Sequence, residues 1–324
     1  MRVAEIAVTS LLPGGVIEPV RAQHRVRVSG LGRPLAGEEL ARFVGEAEAL
    51  VCNVGDRVDG GVLAACTALR VVANVGVGVD NIDLETARGR GLWVTNTPDV
   101  LTEATADLAL ALILAVTRRV AEGDRLIRSR AAWQWRPDFF LGVGLQGRRL
   151  GIVGMGRIGR AVARRATAFG LTVKCNDRAR VGDADVRGTT YVADLDEMLA
   201  ESDIVTLHCP LTRETRHLLD ERRLRLLPQG AFVINTSRGP VIDEAALVRV
   251  LESGHLGGAA LDVYEREPEV QPALLGRDDV VLLPHLGSAT LETRAAMGRL
   301  ALENALAVLA GHRPPTPVVE GRKS

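Results

Sequence analysis

Three side chains in the second half of the chain have the types and settings to act together on a small anion. Arg238 stands in NTSRGPVID directly after the apolar run AFVIN, Glu267 in LDVYEREPE just past AALDV, and His285 in LPHLGSAT just past VVLL. Such runs suit strands buried on both faces. An open parallel α/β sheet presents its ligand-binding edge beyond the carboxyl ends of its strands, so one crevice can gather all three. A guanidinium clamps a carboxylate through two parallel hydrogen bonds. An imidazole passes a proton near neutral pH, and a glutamate buried beside it would fix its tautomer. Singly, each has an ordinary alternative: Arg238 as a surface charge, His285 as a capping or core residue, and Glu265 or Glu269 in place of Glu267.

A second feature bears on the first. The pattern GxGxxG occurs twice, although 34 glycines in 324 positions predict only about 0.4 matches by chance, so the pattern alone is weak. Gly142, Gly144 and Gly147 lead into the apolar run RRLGIV, a strand where a helix should begin, and read as a loop. Gly154, Gly156 and Gly159 follow the strand LGIV and open the helix-period segment RIGRAVARRATAF. There one glycine permits the tight turn, the next admits a pyrophosphate to the backbone, and the third lets helix and strand pack closely. The helix N-terminus adds free N–H groups and partial positive charge. Asp177 ends the next strand, LTVKCND. A carboxylate there hydrogen-bonds the adenosine ribose hydroxyls and repels a 2′-phosphate, which favours NAD over NADP. Arg178 follows and partly relieves that repulsion, so NADP stays open.

The elements that must position these groups alternate along the whole chain. Strands are expected at Val3–Val8, Ala49–Cys52, Arg70–Val75, Leu92–Thr95, Arg149–Val153, Thr172–Asn176, Ile204–His208, Phe232–Asn235, Ala259–Val263 and Val280–Leu283. Helical stretches such as Arg157–Phe169, Leu195–Ala200 and Glu244–Ser253 lie between them, a rhythm that argues for parallel sheets with helices on both faces. Two helices are longer, one from Glu103 to about Arg128 and one from Leu291 to about Ala310. Ala131–Gly147 is aromatic and glycine-rich, holding Trp133, Trp135, Phe139 and Phe140. It reads either as a loop packed on its own domain or as an arm contacting another subunit.

Composition narrows the function. The 324 residues suggest two domains, and 47% hydrophobic with 25% charged residues is ordinary globular composition. Forty Lys+Arg balance forty Asp+Glu, so no net field recruits nucleic acid or a membrane surface. The uncharged run Leu108–Val116 is too short to span a bilayer, and the N-terminus has no signal-peptide core; the expectation is a cytoplasmic protein. Cys52, Cys66, Cys175 and Cys209 form no CxxC pair and are expected as reduced, packed thiols, with no metal site. Lys174 and Lys323 are the only lysines, which removes Schiff-base and P-loop chemistry.

Several motifs in order carry a resemblance. VGVGVDNID (75–83), NTPDVLTEATADLAL (96–110), LGIVGMGRIGRAVARRA (150–166), HCPLT (208–212), NTSRGPVIDEAAL (235–247) and LPHLGSAT (283–290) are similar to the D-isomer-specific 2-hydroxyacid dehydrogenases, particularly the glyoxylate/hydroxypyruvate reductase branch. The resemblance implies an α/β fold of two doubly wound, Rossmann-like domains: a substrate domain of residues 1–98 and 287–324, with an NAD-binding domain, 99–286, inserted. It implies reduction of a small 2-oxo acid, with Arg238 binding the carboxylate and polarising the oxo group, His285 giving the proton, and Glu267 as its partner. The matching substrate-side positions are Val54, Val77 and Gly78, the last two holding the carboxylate on backbone N–H groups. Cofactor positions are Thr105, Gly154, Gly156, Arg157, Ile158, Gly159, Asp177, Pro210, Thr215, Thr236, Asp262 and Gly287, with Asp262 at the carboxamide. WQWRPDFFLG resembles the branch's dimer arm, which implies a homodimer. Val77 stands where phosphite-oxidising relatives carry lysine. D-3-phosphoglycerate oxidation, or a non-enzymatic NAD(H)-sensing protein resembling the C-terminal-binding corepressors, are the alternatives.

Overall fold

A computed structural model of the protein describes residues 2–179 and 188–322; Lys323 lies outside them. The chain divides into two compact units, one of Met1–Leu101 with Ser288–Ser324 and one of Thr102–Gly287. Thirteen strands occur among the described residues. In the first unit they are β1 (Glu5–Val8), β2 (Arg25–Val28), β3 (Ala49–Asn53), β4 (Val71–Val75), β5 (Trp93–Thr95) and β13 (Pro317–Val319). In the second they are β6 (Arg149–Val153), β7 (Thr172–Asn176), β8 (Thr189–Tyr191), β9 (Ile204–Leu207), β10 (Ala231–Asn235), β11 (Leu256–Leu261) and β12 (Val280–Leu282).

The first unit's sheet runs β13-β5-β4-β3-β1-β2. All its pairs are parallel except β13 with β5, where Pro317 lies opposite Thr95 and Val319 opposite Val94. The helix Leu291–Leu309 packs on β3, β4 and β5 of this unit. The second unit's sheet, β12-β11-β10-β9-β6-β7-β8, is parallel throughout. Its central strands β6, β9 and β10 are apolar on both faces because each face is covered. Leu150, Ile152 and Ile234 turn toward the helices Thr102–Thr117 and Arg157–Ala168. Val153, Val205 and Val233 turn toward Leu195–Ala200, Glu221–Leu226 and Glu244–Glu252. Aspartates set many helix starts: Asp59, Asp83, Asp194, Asp220 and Asp243 each accept a first-turn N–H at the N-cap.

Three expectations need correcting. The long helix expected from Glu103 to Arg128 is two, Thr102–Thr117 and Val120–Arg128. The chain turns at Arg119, which takes φ +55°; its guanidinium is held by both Glu122 oxygens at 2.6 and 2.7 Å and lies 4.1 Å from the Phe140 ring centre. The strand expected at Ala259–Val263 begins earlier, at Leu256, and ends at Leu261. β2, β8 and β13 were not expected at all. The four cysteines are free and buried.

Candidate active site

The strand–turn–helix of the second unit has the form a pyrophosphate needs. Gly154 takes φ +93°, and a Cβ there would lie 2.5 Å from the Cys209 backbone nitrogen. A Cβ at Gly159 would run into the carbonyl oxygen of Gly154. Both positions are closed to any larger residue, so the helix Arg157–Ala168 starts hard against β6 and β9. Gly156 is its N-cap and supplies no capping side chain. A Cβ there would meet nothing within 4 Å. The helix N-terminus therefore opens on the uncrowded side of Gly156, where its dipole favours an anion. Arg157 is exposed and Ile158 half-buried on that first turn. At the end of β7, Asp177 Oδ2 accepts the Met155 N–H at 2.7 Å, which anchors the carboxylate beside the glycine turn. These features fit a dinucleotide.

Beyond β9 and β10 the cofactor-side candidates interlock. The hydroxyl of Thr215 donates to the Pro210 carbonyl at 2.7 Å and accepts from the Thr212 N–H, fixing the turn 210–215. Buried Thr236 lies 3.5 Å from His208 Nδ1, whose Nε2 meets Thr206 at 3.0 Å. Burial pushes His208 down to about pKa 3, so it is neutral at physiological pH. Its sequence context, HCPLT, gave no sign of this propping role.

Asp262 follows β11 and serves the segment carrying His285. Its backbone carbonyl accepts the His285 N–H at 2.9 Å. Its carboxylate oxygens accept the Leu286 and Gly287 N–H groups at 2.6 and 2.8 Å. Burial pushes its carboxyl above the ordinary range, against the pull of those donors and of His285. Both oxygens are thus engaged already, though each retains a lone pair for a carboxamide N–H. Thr105, buried on the helix Thr102–Thr117, donates its hydroxyl to Gly287 at 3.0 Å.

The structure brings Glu267 and His285 together, with Nδ1 2.8 Å from Oε2. Of the three competing glutamates, Glu265 pairs instead with His217 at 2.6 Å, and Glu269 is exposed. Glu267 Oε1 also accepts the Tyr264 N–H at 3.1 Å. The expectation of a buried partner is corrected: 37% of the Glu267 side chain and 32% of His285 are accessible. His285 itself takes φ +53°, a left-handed backbone that is uncommon outside glycine and tends to gather at functional sites. With Nδ1–H given to a carboxylate, Nε2 is the nitrogen left for a substrate.

Arg238 leaves the end of β10 and opens the short turn Gly239–Val241. Asn235 Nδ2 donates to its carbonyl at 2.9 Å, and its own Nη1 reaches the Ser237 carbonyl at 2.8 Å. The turn lies on the Glu267 loop, since a Cβ at Gly239 would overlap Tyr264. Val54, Val77 and Gly78 belong to the first unit. There Val54 packs against Gly76, and Val77 is 39% exposed. No group of three or more metal-ligating side chains occurs among the described residues, nor does any helix long and apolar enough to cross a membrane.

Comparison with known proteins places this geometry. A family model described as D-isomer specific 2-hydroxyacid dehydrogenase, NAD binding domain, matches residues 110–287. Glyoxylate reductase of Pyrococcus horikoshii is 43% identical over 319 residues, covering 97% of this chain and 95% of that protein. A solved protein of Thermus thermophilus, TT0316, superposes with a TM-score of 0.91 at 46% identity, over 97% of this chain and 100% of the other. NADPH-dependent glyoxylate/hydroxypyruvate reductase of Sinorhizobium meliloti, solved with NADP and malonate, gives 0.87 at 33% identity over 100% of each chain.

Proposed function

The chain belongs to the D-isomer specific 2-hydroxyacid dehydrogenases, oxidoreductases working with NAD(P) on small 2-oxo and 2-hydroxy acids, and from that premise we propose that it reduces glyoxylate or hydroxypyruvate with NADH. The observation that carries the reading is the Glu267–His285 pair at 2.8 Å, held by Asp262 through three backbone N–H groups, in the unit that carries the glycine turn. Bound NADH supplies the hydride that adds to C2 of the oxo acid. His285 Nε2 gives its proton to the carbonyl oxygen as that oxygen gains charge, and Glu267 keeps the imidazolium oriented and balanced. Arg238 binds the carboxylate and polarises the oxo group, an effect strongest on the developing alkoxide. In the first unit, the backbone N–H groups of Val77 and Gly78 are donors suited to a substrate carboxylate. The first test follows NADH absorbance with glyoxylate, hydroxypyruvate, pyruvate and 3-phosphohydroxypyruvate in parallel. Turnover of one of the first two names the substrate; turnover of the phosphorylated acid alone, or of none, overturns the proposal.

NAD preference rests on Asp177. Its carboxylate is fixed by Met155, where it meets ribose hydroxyls and repels a 2′-phosphate. Asp177→Ser should shift the NADPH/NADH ratio of kcat/KM toward NADPH by at least about tenfold, or ~1.4 kcal/mol. An unchanged ratio would remove Asp177 from that role.

The active form is a homodimer built on the arm. The helix Val120–Arg128 buries no residue in the single chain, and Trp133 and Trp135 are 53% and 79% exposed. Aromatics so placed belong in an interface core. Light scattering should give about twice the 34.6 kDa chain mass, and Trp133→Ser with Trp135→Ser should bring it toward that of one chain. A wild-type protein of single-chain mass would refute the dimer.

A further inference from the structure

The bend that follows β4 is held from behind by side-chain amides. Two of its N–H groups are free to bind. Gly76 O accepts the Thr97 N–H at 2.9 Å, Val77 O accepts Asn96 Nδ2 at 2.8 Å, and Gly78 O accepts Asn74 Nδ2 at 2.7 Å. These peptide bonds are trans, and in a trans peptide the C=O and the following N–H point to opposite sides of one rigid plane. The Gly76 carbonyl faces segment 96–97, so the Val77 N–H faces away from it. The Val77 carbonyl faces Asn96, so the Gly78 N–H faces away as well. Among the described residues neither of these N–H groups has an acceptor. Two successive outward N–H groups form an anion-binding concavity.

We propose that Asn96 is the positioning residue of this concavity: by holding the Val77 carbonyl it aims the Gly78 N–H at the substrate carboxylate, beside the Val77 N–H that the Thr97 backbone fixes through the Gly76 carbonyl, while Asn74 holds the far end of the bend through the Gly78 carbonyl. The proposal rests on the reading that this bend takes the carboxylate. The support is itself well anchored. Asn74 is fully buried, and its Oδ1 accepts from Asn81 Nδ2 at 3.2 Å. Asn81 is tied in turn to the carbonyls of Asn53 and Asp56, each at 3.0 Å. The Asp56 carboxylate, also buried, takes Thr9 Oγ1 at 2.5 Å and the Leu35 and Asn53 N–H groups at 2.7 and 2.8 Å. Asn96 is pinned through its backbone, its carbonyl accepting Thr316 Oγ1 at 2.6 Å. Pre-aimed donors of this kind cost no reorganisation when the anion arrives. The half-buried Asn96 side chain is where the aim can be released without opening the core.

The experiment measures the dissociation constant of oxamate, an unreactive carboxylate, on the NADH-loaded enzyme, together with KM and kcat for glyoxylate and the affinity for NADH. Asn96→Ala should weaken oxamate and raise KM by about tenfold, the loss expected when a charge-assisted hydrogen bond is misaligned. It should leave kcat and NADH affinity within about twofold. A general loss of fold would move all four together. Oxamate affinity and KM both within about twofold of wild type would overturn the proposal. Should Asn96→Ala not fold, Asn96→Asp, equal in size but lacking the donor, is read the same way. Gly78→Pro deletes one N–H outright and tests the underlying reading. If it raises KM while Asn96→Ala does not, the carboxylate site stands and the positioning role falls; if neither does, the site itself falls.

Discussion

Arg238→Ala is expected to turn over glyoxylate about 10²–10³-fold more slowly than wild type, the usual cost of removing one donor aimed at a developing oxyanion, and to raise KM as well. Both constants move because one guanidinium has two tasks. Its bond to the carboxylate exists in ground state and transition state alike, so its loss appears in KM. Its polarisation of the oxo group grows as charge moves onto oxygen, so its loss appears in kcat. The fold should survive the change. The backbone at 238 is held by Asn235 Nδ2 on its carbonyl, a bond the truncation leaves in place. Arg238→Lys should fall between the two enzymes, keeping a charge but losing the planar fork that grips two oxygens. Wild-type kinetics in Arg238→Ala would show that the clamp lies elsewhere.

The proton donor gives the second large effect. His285→Asn should lower kcat by about 10²–10⁴-fold, the range general acid catalysis spans, while NADH binding stays near wild type. Asparagine suits the test because it tolerates φ +53° better than most residues. The loss then reports chemistry rather than a broken backbone. Glu267→Gln should retain more activity than His285→Asn, because the amide can still meet Nδ1 but no longer balances the charge. A His285→Asn enzyme with wild-type kcat would assign the proton to another group.

What could be read in the sequence was what local constraint writes there. The turn at Gly154–Gly159 is legible because Gly154 and Gly159 each meet a backbone that excludes any side chain while Gly156 faces open space, so composition and geometry coincide. Central strands such as β4 and β10 are legible because both faces are covered and the residues must be apolar. The missed strands sit at sheet edges. Arg25–Val28 is RVRV with two exposed arginines, and Thr189–Tyr191 has no fully buried residue. Their pairing is set by the neighbouring strand, not by hydrophobicity. The break at Arg119 carries neither glycine nor proline; an ion pair and a ring 4.1 Å away replace those signals. The amides that aim the Val77–Gly78 bend are invisible for a further reason. Asn74 and Asn96 lie on different strand ends, and only the parallel pairing of β4 with β5 brings them to one bend. An asparagine inside the apolar run VVANV was the single available hint.

The discontinuity of the first unit has a consequence during synthesis. Residues 1–101 leave the ribosome first, yet the helix Leu291–Leu309, which covers β3, β4 and β5, and the strand β13, which closes the edge of β5, come last. Until then the nascent chain carries a bare apolar sheet face and an unpaired edge, both sticky surfaces. Residues 102–287, by contrast, are contiguous and are complete while the C-terminal segment is still being added. The second unit can therefore fold on the ribosome, whereas the first must wait for the helix Leu291–Leu309 and for β13. A message truncated after residue 287 would release a half-finished first unit with its adhesive side exposed, a natural client for chaperones.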